Sequence, residues 1–394
     1  MNTEKGSIPK FVIVILLVMG AFGVMGGGLV APGLPTIGRA FEAPEEQYGW
    51  ILSVYTLAAA MSLPFIGYFI DAVGRRKVGI YCLLIDGAAG LAIILAPSFS
   101  VLLLLRFIQG IGIAGLVPVA MTVIGDLFSD QRRLQLMGYL TGTISLGAVV
   151  IPTLGGILVS IDWRLVFAVY GLSLVLALFF FFKLPETSPN KNSEKKEHRS
   201  PFEYASSLFS VLKIGKIRNM MIHSLILYFL LYALVTFLPL YLTVQHGFDE
   251  IFTGLALSLQ AIFSAFLASR ASFIARYIGW RRRAALGFGL MALGFLLLPV
   301  WPINSYLVSL SFITYGIGMG LTSPTIYDRV TRISPEELTG SVISIFNTMK
   351  YVGTTLSPFL LGIALLFTEL NTVFTGVGLT AGIWALFTIS AEST

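Results

Sequence analysis

The sequence predicts an all-α integral membrane protein: twelve transmembrane helices in two pseudo-symmetric six-helix bundles. Three observations carry that prediction. Apolar residues make up 56% of the 394 residues and charged residues only 12%, with a mean hydropathy of +0.85; a soluble domain has roughly 25% charged and 45–50% apolar residues. Cations collect in alternate loops between apolar runs, and a glycine and proline pattern in the first half returns about 206 residues later.

Apolar spans fall at about residues 10–32, 48–70, 78–97, 100–124, 138–159 and 164–184, then 219–243, 250–275, 284–302, 305–328, 340–365 and 372–392. At about 20 apolar residues per crossing, a chain of this length holds on the order of a dozen helices. Lys5 and Lys10 precede the first run, which lacks an A-x-A-like cleavage site and ends in Pro32 and Pro35, so it reads as a retained helix rather than a signal peptide. With Lys5 and Lys10 inside, the inner loops receive Arg75, Arg76, Lys77, Arg132, Arg133, Arg276, Arg281, Arg282, Arg283, Arg329 and Arg332, while only Arg39 and Arg164 fall outside. This asymmetry predicts cytoplasmic termini in a multi-pass cell membrane protein. It also explains the net charge of +6 as topology rather than nucleic-acid binding. A single cysteine, Cys82, excludes an internal disulfide framework and a CxxC metal or redox site. No nucleophile, base and orienter constellation, HExxH pattern or phosphate loop is present, so neither an enzyme nor a metal or cofactor is expected.

The domain reading follows: an N-terminal bundle over 1–184, a cytoplasmic linker over 185–218 and a C-terminal bundle over 219–394. The linker holds turn formers and mixed charges in Asn190 to Arg199, and its later part, Phe202 to Leu212, has an amphipathic pattern suited either to the inner membrane surface or to a solvated tether. Gly110, Gly112 and Pro118 correspond to Gly316, Gly318 and Pro324, and Gly147, Pro152 and Gly156 to Gly353, Pro358 and Gly362.

Between the second and third spans, Gly67-Tyr-Phe-Ile-Asp71-Ala-Val-Gly74-Arg75-Arg76-Lys77 places an acid and three cations in a short hinge. Gly74 permits a positive φ in a tight turn. This stretch resembles the signature loop of the major facilitator superfamily of transporters, which implies two parallel six-helix repeats with a substrate site near the midplane. A topology anchor explains Arg75 and Arg76 but not Asp71, Gly67 and Gly74; the resemblance implies a charge latch that holds one closed state.

In the fourth span, Arg106-Phe-Ile-Gln109-Gly110 resembles the family's second motif. Arg106 and Gln109 share a face at i, i+3, and Phe312 stands at the repeat position of Arg106. Either proton or anion handling or snorkelling toward the outer interface accounts for Arg106. The overlapping Gly110-x-Gly112-x-x-Gly115 has no preceding strand and is rejected as a dinucleotide fingerprint. The fifth span carries Gly147, Pro152, Gly155 and Gly156, which resembles the antiporter motif of drug exporters, with Ile151 where the usual glycine precedes the proline. Helix 1, Gly26-Gly-Gly through Pro35, has glycines suited to cavity lining or to close packing, and none of the carboxylates that many proton-coupled exporters carry there.

Asp86 lies within the third span, where an acid costs about 2.5–3.5 kcal/mol on insertion scales and needs a proton, a partner or water. Proton carriage and a structural hydrogen-bonded role both fit. Ser224, Tyr228, Tyr232 and Thr236 recur every four residues in the seventh span, a stripe drifting about 40° per step; Tyr228, Tyr232 and Thr236, with Gln109 and Asn347, are candidate cavity residues. Asn347, Lys350 and Thr354 share a face of the eleventh span, where Lys350 either serves ion coupling, contacts substrate or sits at a domain interface.

The resemblance implies a monomeric secondary transporter exporting drug-like or amphipathic small molecules by proton antiport through alternating access. Alternatives are a specific metabolite exporter, a facilitative or uptake carrier, and a non-transporting sensor on the same fold. Aromatic side chains suit hydrophobic cations while Arg106 and Lys350 suit anions, and charge counting leaves both open.

Overall fold

The computed structural model describes residues 10–184, 210–299, 305–335 and 338–390. Helices span the chain because hydrocarbon offers no partner to a backbone N–H or C=O, so each span must satisfy its own. The first six long helices are α1 Lys10–Gly28, α2 Trp50–Val73, α3 Arg75–Ala92, α4 Phe99–Leu127, α5 Asp130–Ile161 and α6 Gly171–Lys183. The second six are α7 Gly215–Pro239, α8 Glu250–Ser269, α9 Trp280–Leu297, α10 Ser305–Ile333, α11 Thr339–Leu365 and α12 Leu370–Ser390. Nine spans among the described residues are long and apolar enough to cross a bilayer. Of the other three, α9 and α10 match their repeat partners in length, α9 and α3 with 18 residues each and α10 and α4 with 29 each, while α11 has 27 residues against 32 in α5.

Several boundaries differ from the hydropathy reading. Helix α5 starts at Asp130, well before residue 138, because Ser129 is extended and Arg132, Gln135 and Tyr139 form a hydrogen-bonded ladder along the first turns of the helix. The charged segment 125–133 is therefore only a break at Phe128 and Ser129. Helix α1 stops at Gly28, passes through a 3-10 turn at Ala31–Gly33 and resumes as Leu34–Ala40. Of the linker, 185–209 lies outside the described residues, as does most of the amphipathic stretch Phe202 to Leu212; α7 begins at Gly215.

The repeated glycines mark where helix backbones touch. A Cβ on Gly110 of α4 would strike Tyr55 O of α2, and one on Gly316 of α10 would strike Gln260 O of α8. Gly112 and Gly318 do the same toward α3 and α9, at 2.6 Å from Asp86 N and 2.5 Å from Gly287 O. These contacts build the two bundles.

Between bundles, α5 packs on α8 and α2 on α11. Both seams lie at the end that carries Glu45, Glu46, Asp162, Asp249 and Glu250, the acidic end; Arg75, Arg76, Arg132 and Arg281 mark the opposite, basic end. At the first seam Gly156 abuts Glu250 O, Gly254 abuts Pro152 O, and the Thr153 and Ser258 hydroxyls are 2.7 Å apart. At the second, Gly362 faces Glu46 O, Gly49 faces Pro358, Ser53 donates to Thr355 O at 3.1 Å and Thr355 donates to Thr56 at 3.0 Å.

The α5 and α8 axes separate toward the basic end. Gly138 lies 18 residues before Gly156, five full turns and about 27 Å along the same face. A Cβ there meets nothing within 4 Å. Helix α8, with 20 residues, is long enough to run beside it, yet Ser269, eleven residues after Ser258 on the same face, is exposed. The cleft between the bundles is shut at the acidic end and open at the basic end.

Gly110→Ala and Gly316→Ala will lower the thermal unfolding midpoint in detergent, each costing about 1–3 kcal/mol of overpacking. Gly138→Ala, made into open space, will leave the midpoint unchanged or raise it slightly.

Candidate functional site

The broken end of α1 leaves carbonyl oxygens without helical partners, and a guanidinium from α4 takes one of them. Arg106 Nη2 donates to Gly26 O at 2.8 Å, Nε to Ile51 O at 3.1 Å, and Nη1 to Gln109 Oε1 at 2.8 Å, while the group lies 4.3 Å from the Tyr55 ring centroid. A cation is stabilised at a helix C-terminus by the backbone dipoles. Gln109 Nε2 then donates to Asp86 Oδ1 at 3.2 Å, and Ser173 of α6 donates to Asp86 Oδ2 at 2.6 Å. Arg106, Gln109, Asp86 and Ser173 are all 0% exposed.

This chain joins α1, α2, α3, α4 and α6 and sets a buried cation against a buried carboxylate through one amide. Arg106 does not snorkel to an interface; its whole fork is spent inside the bundle. Gln109, expected on the cavity wall, is instead the bridge, with both ends of its amide engaged. Ser173 was missed by sequence reasoning, since one serine in an apolar span carries no signal of its partner.

Across the cleft, Lys350 Nζ of α11 lies 4.7 Å from the Tyr228 ring centroid on α7. Tyr228, Tyr232, Asn347, Lys350 and Tyr351 are partly exposed, whereas Ser224 and Thr236 are fully buried. The four-residue stripe therefore divides: its middle faces the cleft, and Thr236 stands at the seam, 3.0 Å from a Cβ on Gly49. Tyr232 reaches the other bundle, its hydroxyl 2.6 Å from a Cβ on Gly27. An intramembrane cation costs about 2.5–3.5 kcal/mol, and a cation–π contact returns only about 0.5–2 kcal/mol. Lys350 also hydrogen-bonds the Tyr228 side chain, and neither contact supplies a carboxylate.

At the basic end Gly74 has φ 104°, the turn that lets α2 pass into α3. Arg75 is held between Asp71 at 3.2 Å and Asp126 at 3.0 Å and donates to Ile70 O at 3.1 Å. Asp126, at the end of α4, is a partner the sequence did not reveal. Arg76 instead donates to Phe181 O of α6 and stacks over that ring, and Gly67 sits half-buried in α2. On α5, Gly147 faces Val24, Gly155 faces Leu29 O, and Gly156 with Pro152 O faces α8. Only the last two meet the opposite bundle, so the motif is split between α1 packing and the seam. His223 is 1% exposed and lies between Asn219 O and the Thr388 hydroxyl.

The sequence profile of the Major Facilitator Superfamily matches residues 16–358. The chain belongs to that superfamily. As a major facilitator it is a membrane transporter of small molecules and not an enzyme. It is 27% identical over 348 residues to the bacillibactin exporter of Bacillus subtilis (strain 168), covering 85% of each chain. It is 27% identical over 373 residues to the class E tetracycline resistance protein of Escherichia coli, covering 88% of this chain and 87% of that protein. A bacterial homologue of the human lysosomal transporter Spinster, solved in an inward-facing and unoccupied conformation, superposes with a TM-score of 0.76 at 18% identity, covering 98% of this chain and 96% of the other. Its likeness, at that identity, is one of fold.

Within this major facilitator, Arg106→Gln will strand the Asp86 carboxylate in the core and cost about 3–5 kcal/mol. The double variant Arg106→Gln, Asp86→Asn will recover part of that loss. A thermal unfolding cycle checks it: strict additivity would show that the two charges do not communicate.

Proposed function

We propose that this transporter exports drug-like or amphipathic small molecules in exchange for protons, through rocking of residues 1–184 against 219–394 about the central cleft, with 185–218 as the tether. The observation that carries this reading is the cleft closed at the acidic end and open at the basic end along one face of α5. The positive-inside rule places the basic end, with Arg75, Arg76, Arg132 and Arg281, in the cytoplasm. The termini then lie inside a cytoplasmic membrane, and this conformation opens toward the side from which an exporter loads. The bacillibactin, tetracycline resistance and multidrug relatives support export.

Asp86 is the proposed proton carrier. Neutralising it removes the charge that Gln109 presents to Arg106, and Arg106 holds Gly26 O and Ile51 O. Both segments lead to the other bundle, through Gly27 at Tyr232 and through Ser53 and Thr56 at Thr355. A protonation change would thus be felt at the seams. The Gly67 to Arg76 hinge, with Asp71 ion-paired to Arg75, is the proposed latch of the opposite closure. The transporter is proposed to act as a monomer.

A second reading, a facilitative carrier for one metabolite, is favoured by two features: α1 has no carboxylate and Asp86 has no exposure.

Two measurements test the proposal. Dye flux into or out of proteoliposomes will follow an imposed pH gradient, vanish when the gradient is collapsed, and be lost in Asp86→Asn; flux indifferent to the gradient selects the facilitative reading. With Cys82→Ser as background, Thr153→Cys and Ser258→Cys will form a disulfide that stops flux until reductant is added. Undiminished flux in the oxidised protein would refute rocking at this seam.

A further inference from the structure

We infer that the transported substrate is an amphipathic anion whose negative group docks on Lys350, with its apolar body against Tyr228, Tyr232 and Tyr351. The inference rests on the reading of the central cleft as the loading site.

The cleft's charge is decided by which groups reach it. Asp86 is sealed inside the N-terminal bundle with 0% exposure, hydrogen-bonded by Ser173 and Gln109 and set against Arg106 through that glutamine. That pair of opposite charges is internally matched and lends the cleft neither sign. Lys350 differs. It retains partial exposure, and no carboxylate among the described residues ion-pairs with it; its electrostatic neighbours are Tyr228, Tyr351 and Tyr327. Asp328, next to Tyr327, is already paired with Arg332 at 2.9 Å.

Lys350 also stands in the right place. Lys350 lies over the Tyr228 ring, one helical turn from Tyr232, whose hydroxyl reaches Gly27 of the opposite bundle, and the neighbouring Tyr351 lies one turn from Thr355, which bonds Thr56 across the seam at 3.0 Å. The position is on the open side of the closed seam. A lone cation on a wall of low dielectric raises the local potential and concentrates anions. A cationic substrate would meet like charge there, with no carboxylate among the described residues paired to Lys350 to offset it. Phenol hydroxyls can donate to an anionic oxygen beside the ammonium, and their rings offer flat apolar surface to the rest of the molecule.

The test is binding to the purified full chain in detergent, without any gradient, so that its outcome is independent of proton coupling. Fluorescence anisotropy compares fluorescein with tetramethylrhodamine methyl ester, an anion and a cation on one xanthene scaffold. Naphthoate, naphthamide and naphthylmethylammonium serve as competitors. We expect the anion of each set to bind at least about tenfold more tightly than its cation, a difference set by one charge contact. Lys350→Gln should remove that preference and leave or improve cation binding, while Lys350→Arg should keep it; thermal unfolding verifies that both variants are folded. Cation preference, equal binding, or no binding by any anion of the panel overturns the proposal. So does a Lys350→Gln variant that weakens both charges alike, the signature of a bundle-interface role.

Discussion

A guanidinium that has no route to water must find every one of its partners inside the protein, and Arg106 organises the N-terminal bundle around that requirement. Its donors end on the last turn of α1, on α2 and on Gln109 of its own helix, and Gln109 carries the network to Asp86 and so to Ser173. Breaking α1 at Gly28 frees carbonyl oxygens that would be intolerable in hydrocarbon. Arg106 makes the break tolerable, and the break in turn supplies the acceptor that makes the buried cation tolerable. Each oddity in the sequence is the compensation for the other.

The same architecture is built twice, but the chemistry is not. In the C-terminal bundle Phe312 and Tyr315 occupy the repeat positions of Arg106 and Gln109, and Phe295 stacks edge-on to Tyr315. That core is apolar where its counterpart is ionic. Conversely the cleft-facing cation, Lys350, and the tyrosines around it belong to the second half. An ionic network is enclosed in one bundle, and a partly exposed cation stands among tyrosines in the other.

What couples the halves is backbone contact at glycine. Gly156 against Glu250 O and Gly362 against Glu46 O occupy equivalent places in the two repeats, as do Gly254 at Pro152 and Gly49 at Pro358. Side chains there would hold the helices apart. Without a strong hydrophobic drive between helices in lipid, close packing and hydroxyl bonds such as Thr153 to Ser258 do the joining. Such a seam has few deep interlocks to undo.

The sequence alone determined the crossings and the twofold plan, because each is written in one dimension: apolar length against bilayer thickness, and glycines and prolines repeated at a fixed offset. It also placed Gly74 in its positive-φ turn and singled out Asp86, Arg106 and Lys350 as expensive. Which groups those residues meet was decided only in three dimensions. Asp86 finds Ser173 87 residues away, Arg75 finds Asp126 51 away, and Thr355 finds Thr56 299 away. A span that is apolar all round does not announce which face touches protein and which touches lipid, since both are equally apolar. The fate of Gln109, the division of the α7 stripe and the split of the α5 motif all depended on that missing information, and only the packed helices contain it.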